Sequence, residues 1–232
     1  MKFGQYLVLR IVLLGCVLAT VSCRSTSPPP SPIPVSFESL CVFSEERFLK
    51  MNGLELQNWV GDNFSQTLSV SSEPDGSDVY VFRGTSDELG EFLANVHIHN
   101  DHIILMSLHN VQNGPSFNNV VMGLGEPVSV YHYCSMPHDP LLYNIGLDYP
   151  TMGVSVFASE SKPRRSLVFE NGLGVVLRED MQVNLIKCYQ PALTMEEVIE
   201  RDRSLTSSGK QLQLQNRMPW SGFGSIVPLT IP

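Results

Sequence analysis

Six consecutive residues, His97-Ile98-His99-Asn100-Asp101-His102, bring three imidazoles and a carboxylate into one short stretch. Imidazole nitrogens and carboxylate oxygens are zinc ligands, and a zinc ion with an open position lowers the pKa of its bound water to ~7. His97, His99, Asp101 and His102 are therefore candidate metal ligands, with His109, His132 and His138 able to supply more. On that reading the chain is a zinc-dependent hydrolase.

The pattern His-x-His-x-Asp-His resembles the metal-binding signature of the metallo-β-lactamase superfamily, in which the motif follows a strand and leads into a Gly-containing helix start. Here Ile103-Ile104-Leu105-Met106-Ser107-Leu108 follows at once, without Gly and with strand character. In an alternating strand His97 and His99 share one face while Val96 and Ile98 take the other, and Asn100-Asp101 becomes a hairpin turn. The competing expectation is solvent-facing histidines on a hairpin, with no catalytic residue and no cofactor, and it is the one preferred here.

Other chemical signals are sparse. There is no Gly-x-Ser-x-Gly elbow and no P-loop. Gly123-x-Gly125 and Gly172-x-Gly174 lack the third glycine of a dinucleotide site. Glu45-Glu46, Glu179-Asp180 and Glu196-Glu197 are adjacent in sequence, so they do not face each other as an acid/base pair does. No Cys-x-x-Cys occurs. Cys134 and Cys188 sit in strand-like runs, where they could pair or be buried as small apolar residues, and Cys41 is the third cysteine of the mature domain.

The elements that would position these residues are mostly strands. Val79–Phe82 is β-branched and aromatic, and Phe92–His99 with Ile103–His109 reads as a hairpin. Val128–Cys134, Leu142–Asp148, Gly153–Ala158 and Gln182–Tyr189 are further strands, with Pro150–Gly153 a turn and Leu167–Leu177 a second hairpin. Glu45–Val60 fits a broken helix and Phe117–Leu124 a short one. Thr194–Arg203 has a capping Thr, acids in its first turn and arginines near its end, so it is the clearest helix. The tail around Trp220 and Phe223 reads as a turn-rich packing segment. The expected class is α+β, short helices on antiparallel sheet.

A weak repeat runs through this order. Trp59-Val60-Gly61-Asp62 and Gly123-Leu124-Gly125-Glu126 each end a helical piece with Gly and an acid, and each half closes on a strand, Ile103–His109 or Gln182–Tyr189. Two related α+β units follow, 36–112 and 113–232. The segment Val120-Val121-Met122-Gly123-Leu124-Gly125-Glu126-Pro127 resembles the "helix, Leu-Gly-x-Pro, then strands" unit of small envelope lipoproteins. These include the outer-membrane assembly family of BamE (SmpA/OmlA) type and the β-lactamase-inhibitor-like domains. The resemblance spans roughly residues 115–190 and implies a helix layer on antiparallel sheet, a non-catalytic role and protein binding.

The N-terminus points the same way. Lys2 and Arg10 precede an apolar run, Ile11–Val21, too short for the roughly 20 residues that span a bilayer. Thr20-Val21-Ser22-Cys23 resembles a bacterial lipobox without the usual leucine, so residues 1–22 are expected as a signal peptide and Cys23 as the acylated residue. Leu13-Leu14-Gly15-Cys16 is a rival site, and ordinary cleavage near Ser22 would secrete the chain without lipid. Residues 23–35 are a Pro/Ser-rich tether; at ~3.1 Å per residue its Pro/Ser part would hold a domain roughly 30 Å from a membrane.

The chain has 15 basic and 23 acidic residues, and its net charge of −8 becomes −10 when Lys2 and Arg10 leave with the signal. Such a balance, without a basic stripe, excludes the usual nucleic-acid binder. The sequence reading is thus a non-enzymatic lipoprotein of the bacterial cell envelope, anchored to a membrane by lipid and binding an envelope protein partner.

Overall fold

Phe92, Ala94, Val96 and Ile98 alternate with Leu93, Asn95, His97 and His99, and a pleated strand sends such sets to opposite faces. The computed structural model describes residues 51–63, 69–73, 76–136, 138–170, 172–202 and 205–229, and in it the first set is buried while the second is half-buried. The same division recurs in strand after strand, so one broad sheet has an apolar face and a polar face. Segments 1–22 and 23–35, Cys23, Cys41 and the start of the expected helix from Glu45 lie outside the described residues.

In sequence order the elements are α1 (Gly53–Asn63), β1 (Ser69–Ser72), β2 (Asp78–Ser86), β3 (Gly90–His99), β4 (His102–His109) and α2 (Phe117–Leu124). There follow β5 (Ser129–Met136), β6 (Leu141–Tyr149), β7 (Val154–Lys162), β8 (Val168–Phe169), β9 (Gly172–Val176) and β10 (Leu185–Tyr189). The last elements are α3 (Met195–Arg201), α4 (Ser207–Gln215), β11 (Arg217–Pro219) and β12 (Ile226–Pro228). The class is α+β.

Nine strands form an antiparallel sheet in the order β1-β2-β3-β4-β10-β7-β6-β5-β11, and β12-β9-β8 form a small second sheet. A helix followed by a four-strand meander occurs twice: α1 with β1 to β4, and α2 with β5, β6, β7 and β10. The last strand of each meander is the inner one, and β4 and β10 pair at the centre of the sheet. The two expected units therefore contribute to one sheet.

The apolar face carries the core. Leu56 and Val60 of α1 and Phe117 and Val120 of α2 cluster with Phe82, Ala94, Val96, Met106, Leu108, Ile145, Leu147, Val156 and Ile186. Helix α2 starts where the Ser116 hydroxyl accepts from the Asn119 N–H at 3.2 Å. It stops where Gly125, at φ 85°, donates its N–H to the Val121 carbonyl at 2.9 Å, a backbone conformation that favours glycine. Gly61, expected to end the first helix, lies inside α1 instead.

Several boundaries shift because pairing extends past the local pattern. β2 runs to Ser86 along β3 from Ile98 to Gly90, and β7 runs to Lys162 along β6. The turn expected at Pro150–Gly153 is a single 3₁₀ turn, Pro150–Met152. The tail holds more order than expected. Helix α4 and strands β11 and β12 fall in it, and Trp220 and Phe223 meet edge-on at 5.2 Å against the core. Cys188 is disulfide-bonded, whereas Cys134 is a buried thiol, so the two do not bond to each other.

Candidate binding site

Asn100 and Asp101 take φ of 49° and 60°, the left-handed pair of a two-residue turn, and His99 pairs with His102 across it. A register shift at His97/Ile98 bulges the partner strand beside them. His97 and His99 are half-buried, whereas Asp101 and His102 are exposed at the tip. His132 lies on the apolar face of β5 among core residues, and His138 is exposed. Among the described residues no group of three or more His, Cys, Asp or Glu side chains is placed to hold a metal ion. A strand that alternates every residue and then turns back cannot gather all four candidates, His97, His99, Asp101 and His102, around one point. The expectation of simply solvent-facing histidines is also revised: His97 and His99 line a cleft.

That cleft lies on the polar face of the sheet. Strand register aligns six side chains in one row across six strands: Asn95, Ser107, Lys187, Ser155, Asp148 and Ser129. The next row runs His109, Leu185, Phe157, Gly146, Tyr131 and Arg217. Met195, Val198 and Ile199 of α3 and Gln213 of α4 close over this floor and leave a cavity of about 460 Å³. A second cavity of about 320 Å³ shares Leu105, Tyr189, Val198 and Asp202 with it and reaches His99 at the hairpin end.

One end of the polar row is closed on itself. Asp148 is fully buried, accepting from Ser129 Oγ at 2.8 Å, Ser155 Oγ at 2.7 Å and Arg217 Nε at 2.9 Å. Ser155 Oγ also lies 2.9 Å from the Tyr189 hydroxyl, which donates to the Val154 carbonyl at 3.0 Å. Arg217 donates further to the carbonyl and side chain of Gln213, tying α4 to the sheet. Ser155 thus has a carboxylate and a phenol as its partners. These groups position the floor.

The other half of the row is open. Lys187 Nζ stands 5.5 Å from the centroid of the Phe157 ring, and the Arg217 guanidinium stands 4.9 Å from that of Tyr131. The two rings meet edge-on at 5.8 Å. Burial pulls the Lys187 ammonium below its ordinary pKa, with Arg217 pulling the same way and Asp202 and Asp148 opposing. His109 Nε2 lies 3.3 Å from Asn95 Nδ2, and burial, Lys187 and His97 hold its pKa below 6.5. Burial pushes the Tyr131 and Tyr189 phenols up. The arrangement can bind: it offers a cation, hydroxyls, imidazoles and aromatic surface opposite an apolar wall.

Sequence reasoning missed Lys187, Phe157, Tyr131, Asp148 and Arg217. The signal was a polar residue inside each apolar run, as in Val154-Ser155-Val156 and Ile186-Lys187-Cys188. Only register aligns them. No family model, curated protein or solved structure matches the chain.

Proposed function

We propose that the protein is a non-enzymatic binding module of the bacterial cell envelope, held at a membrane through acylated Cys23 and offering its sheet-face cleft to a segment of a partner protein. The observation that carries this reading is the cleft itself. Its polar floor spans six strands, its wall is the apolar side of α3, and its two joined cavities are of the size that ligand sites occupy, ~300–1,000 Å³. The Asp148 network fixes the floor of the cleft. The Pro/Ser-rich segment after Cys23 supports the tether, since a segment of that composition is extended and cannot pack.

The test is site-specific photocrosslinking in cells that export the full-length protein. A benzophenone side chain at Val198, in the cleft, is expected to give a discrete protein adduct, and one at exposed Val168 in the small sheet is not. Adduct from both sites, or from neither, contradicts the reading. Acylation is tested separately: Cys23→Ala is expected to move the protein from the membrane to the soluble fraction and to abolish fatty-acid labelling.

A further inference from the structure

Lys187 is the unusual group in the cleft. It sits on β10, at the centre of the sheet, half-buried beneath α3. Among the described residues its ammonium makes no hydrogen bond and no ion pair; its neighbour is the face of Phe157. Charges withdrawn from water are ordinarily paired, because desolvation is costly and the partner offsets it. The other cation of the floor follows that rule, since Arg217 is bonded to Asp148. Lys187 has no such direct partner among the described residues: Asp202, which lines the same cleft, and Asp148 act on it only through space.

Its surroundings state what the counter-ion should look like. Ser107 adjoins Lys187 directly across the strand pair, and His109 is two residues along. Met195, Val198 and Ile199 face them from the opposite wall. A ligand seated there needs one anionic group toward the floor and apolar groups toward α3. A single ammonium matches a single negative charge, and the sheet's backbone N–H groups are committed to the ladder. Phosphate sites instead gather several N–H groups or a bidentate guanidinium. The two joined cavities run along the strands from His109 to His99, a length suited to an extended peptide.

We infer that the cleft takes a peptide segment whose carboxylate, set among apolar residues, pairs with Lys187. This deepens the proposed function and rests on the cleft being the binding site. The carboxylate is either an acidic side chain or a free peptide C-terminus, which share this chemistry.

The probes are two dyes of one shape, anionic 8-anilinonaphthalene-1-sulfonate and neutral N-phenyl-1-naphthylamine. They are titrated into the full-length protein with Cys23→Ala, so that no acyl group competes. Both dyes are expected to bind, and the neutral one to be lost with Val198→Arg. Lys187→Met is expected to weaken the anionic dye by about 10-fold, the effect of one charge-assisted contact, and to leave the neutral dye unchanged. Lys187→Arg, which keeps the charge, is expected to retain most of the anionic binding, and circular dichroism checks that each variant folds. Displacement of the anionic dye by N-acetyl-Leu-Glu-Leu-amide identifies a side-chain carboxylate. Displacement by N-acetyl-Leu-Gln-Leu with a free C-terminus identifies a terminal one. If the neutral N-acetyl-Leu-Gln-Leu-amide displaces equally, if none displaces, or if Lys187→Met leaves both dyes unchanged, the inference is overturned while the cleft remains the site. If Val198→Arg leaves the neutral dye unchanged, the cleft reading itself fails and takes the inference with it.

Discussion

Gly146 and Phe157 face each other across β6 and β7 so closely that a Cβ on Gly146 would fall 2.5 Å from Phe157 Cδ1. The missing side chain is what lets the Phe157 ring lie across the neighbouring strand, edge-on to Tyr131 and beneath Lys187. Phe157 is buried and cannot simply swing away into solvent. Gly146→Ala is expected to lower stability by about 1–3 kcal/mol in urea denaturation, the usual cost of overpacking. Gly146→Ala combined with Phe157→Leu should recover part of that loss. Equal stability of Gly146→Ala and wild type would show that the ring is not held where it is described.

Among the described residues Asp148 and Arg217 form the deepest ion pair on the polar face, 2.9 Å apart, with Asp148 side-chain exposure of 0% and Arg217 of 10%. Removing one partner strands the other charge. Asp148→Ala and Arg217→Ala are each expected to cost about 3–5 kcal/mol. The double variant should cost less than the two single losses together, because the stranded charge is gone. Additive losses in the same urea series would contradict the pairing.

His109 and His132 both carry pKa values held below the ordinary 6.5, chiefly by burial, with Lys187 and His97 acting on the first and Arg217 on the second. In the unfolded state both protonate near 6.5, whereas in the fold they stay neutral to lower pH. The unfolded state therefore takes up protons first. Stability is expected to fall as pH drops below about 6.5 and to level off once the folded imidazoles also protonate. His132→Leu should flatten part of that slope between pH 6.5 and 5. An unchanged slope would mean His132 is not neutral in the fold.

Glu160 gives the opposite linkage at lower pH. Burial works against its ionisation, but hydrogen bonds from Arg178 and Tyr143, with the charges of Arg178 and Lys162, outweigh it and hold the carboxyl below 4.5. Its stabilising contribution is present above the unfolded value near 4.5 and is lost as pH falls through the lower folded one. Glu160→Gln is expected to reduce stability at pH 7, and the gap to wild type should close as pH falls below 4.5. A gap constant down to pH 3 would contradict this.

Much of the fold was legible because strands announce themselves locally. Phe92–His99, Ile103–His109 and Leu142–Asp148 carry their alternation or β-branched content in the residues themselves, and Thr194 marks a helix start. Helix α4 was not legible. Ser207–Gln215 carries two leucines and no buried residue, so it lacks an apolar stripe. It is held instead by the Thr206 cap on Gly209 and by Arg217 reaching back to Gln213.

The cleft was hidden for a different reason. Asn95 and Ser107 meet within one hairpin, but Lys187 is far from both in sequence, and only the central pairing of β4 with β10 brings it beside them. The histidine motif was conspicuous because its residues are consecutive, yet closeness along a strand and a turn does not place side chains around one point. His97 and His109, separated in sequence, line the same cleft.

The proposed function requires that binding take place in the cleft between the polar sheet face and α3. The most direct measurement is the yield of crosslinked adduct from a benzophenone side chain at Val198, with and without Leu105→Arg, which puts a long charged group into the space both cavities share. A discrete adduct that Leu105→Arg removes, in a protein whose circular dichroism is unchanged, is the expected result. An adduct of equal yield in both proteins would contradict the account.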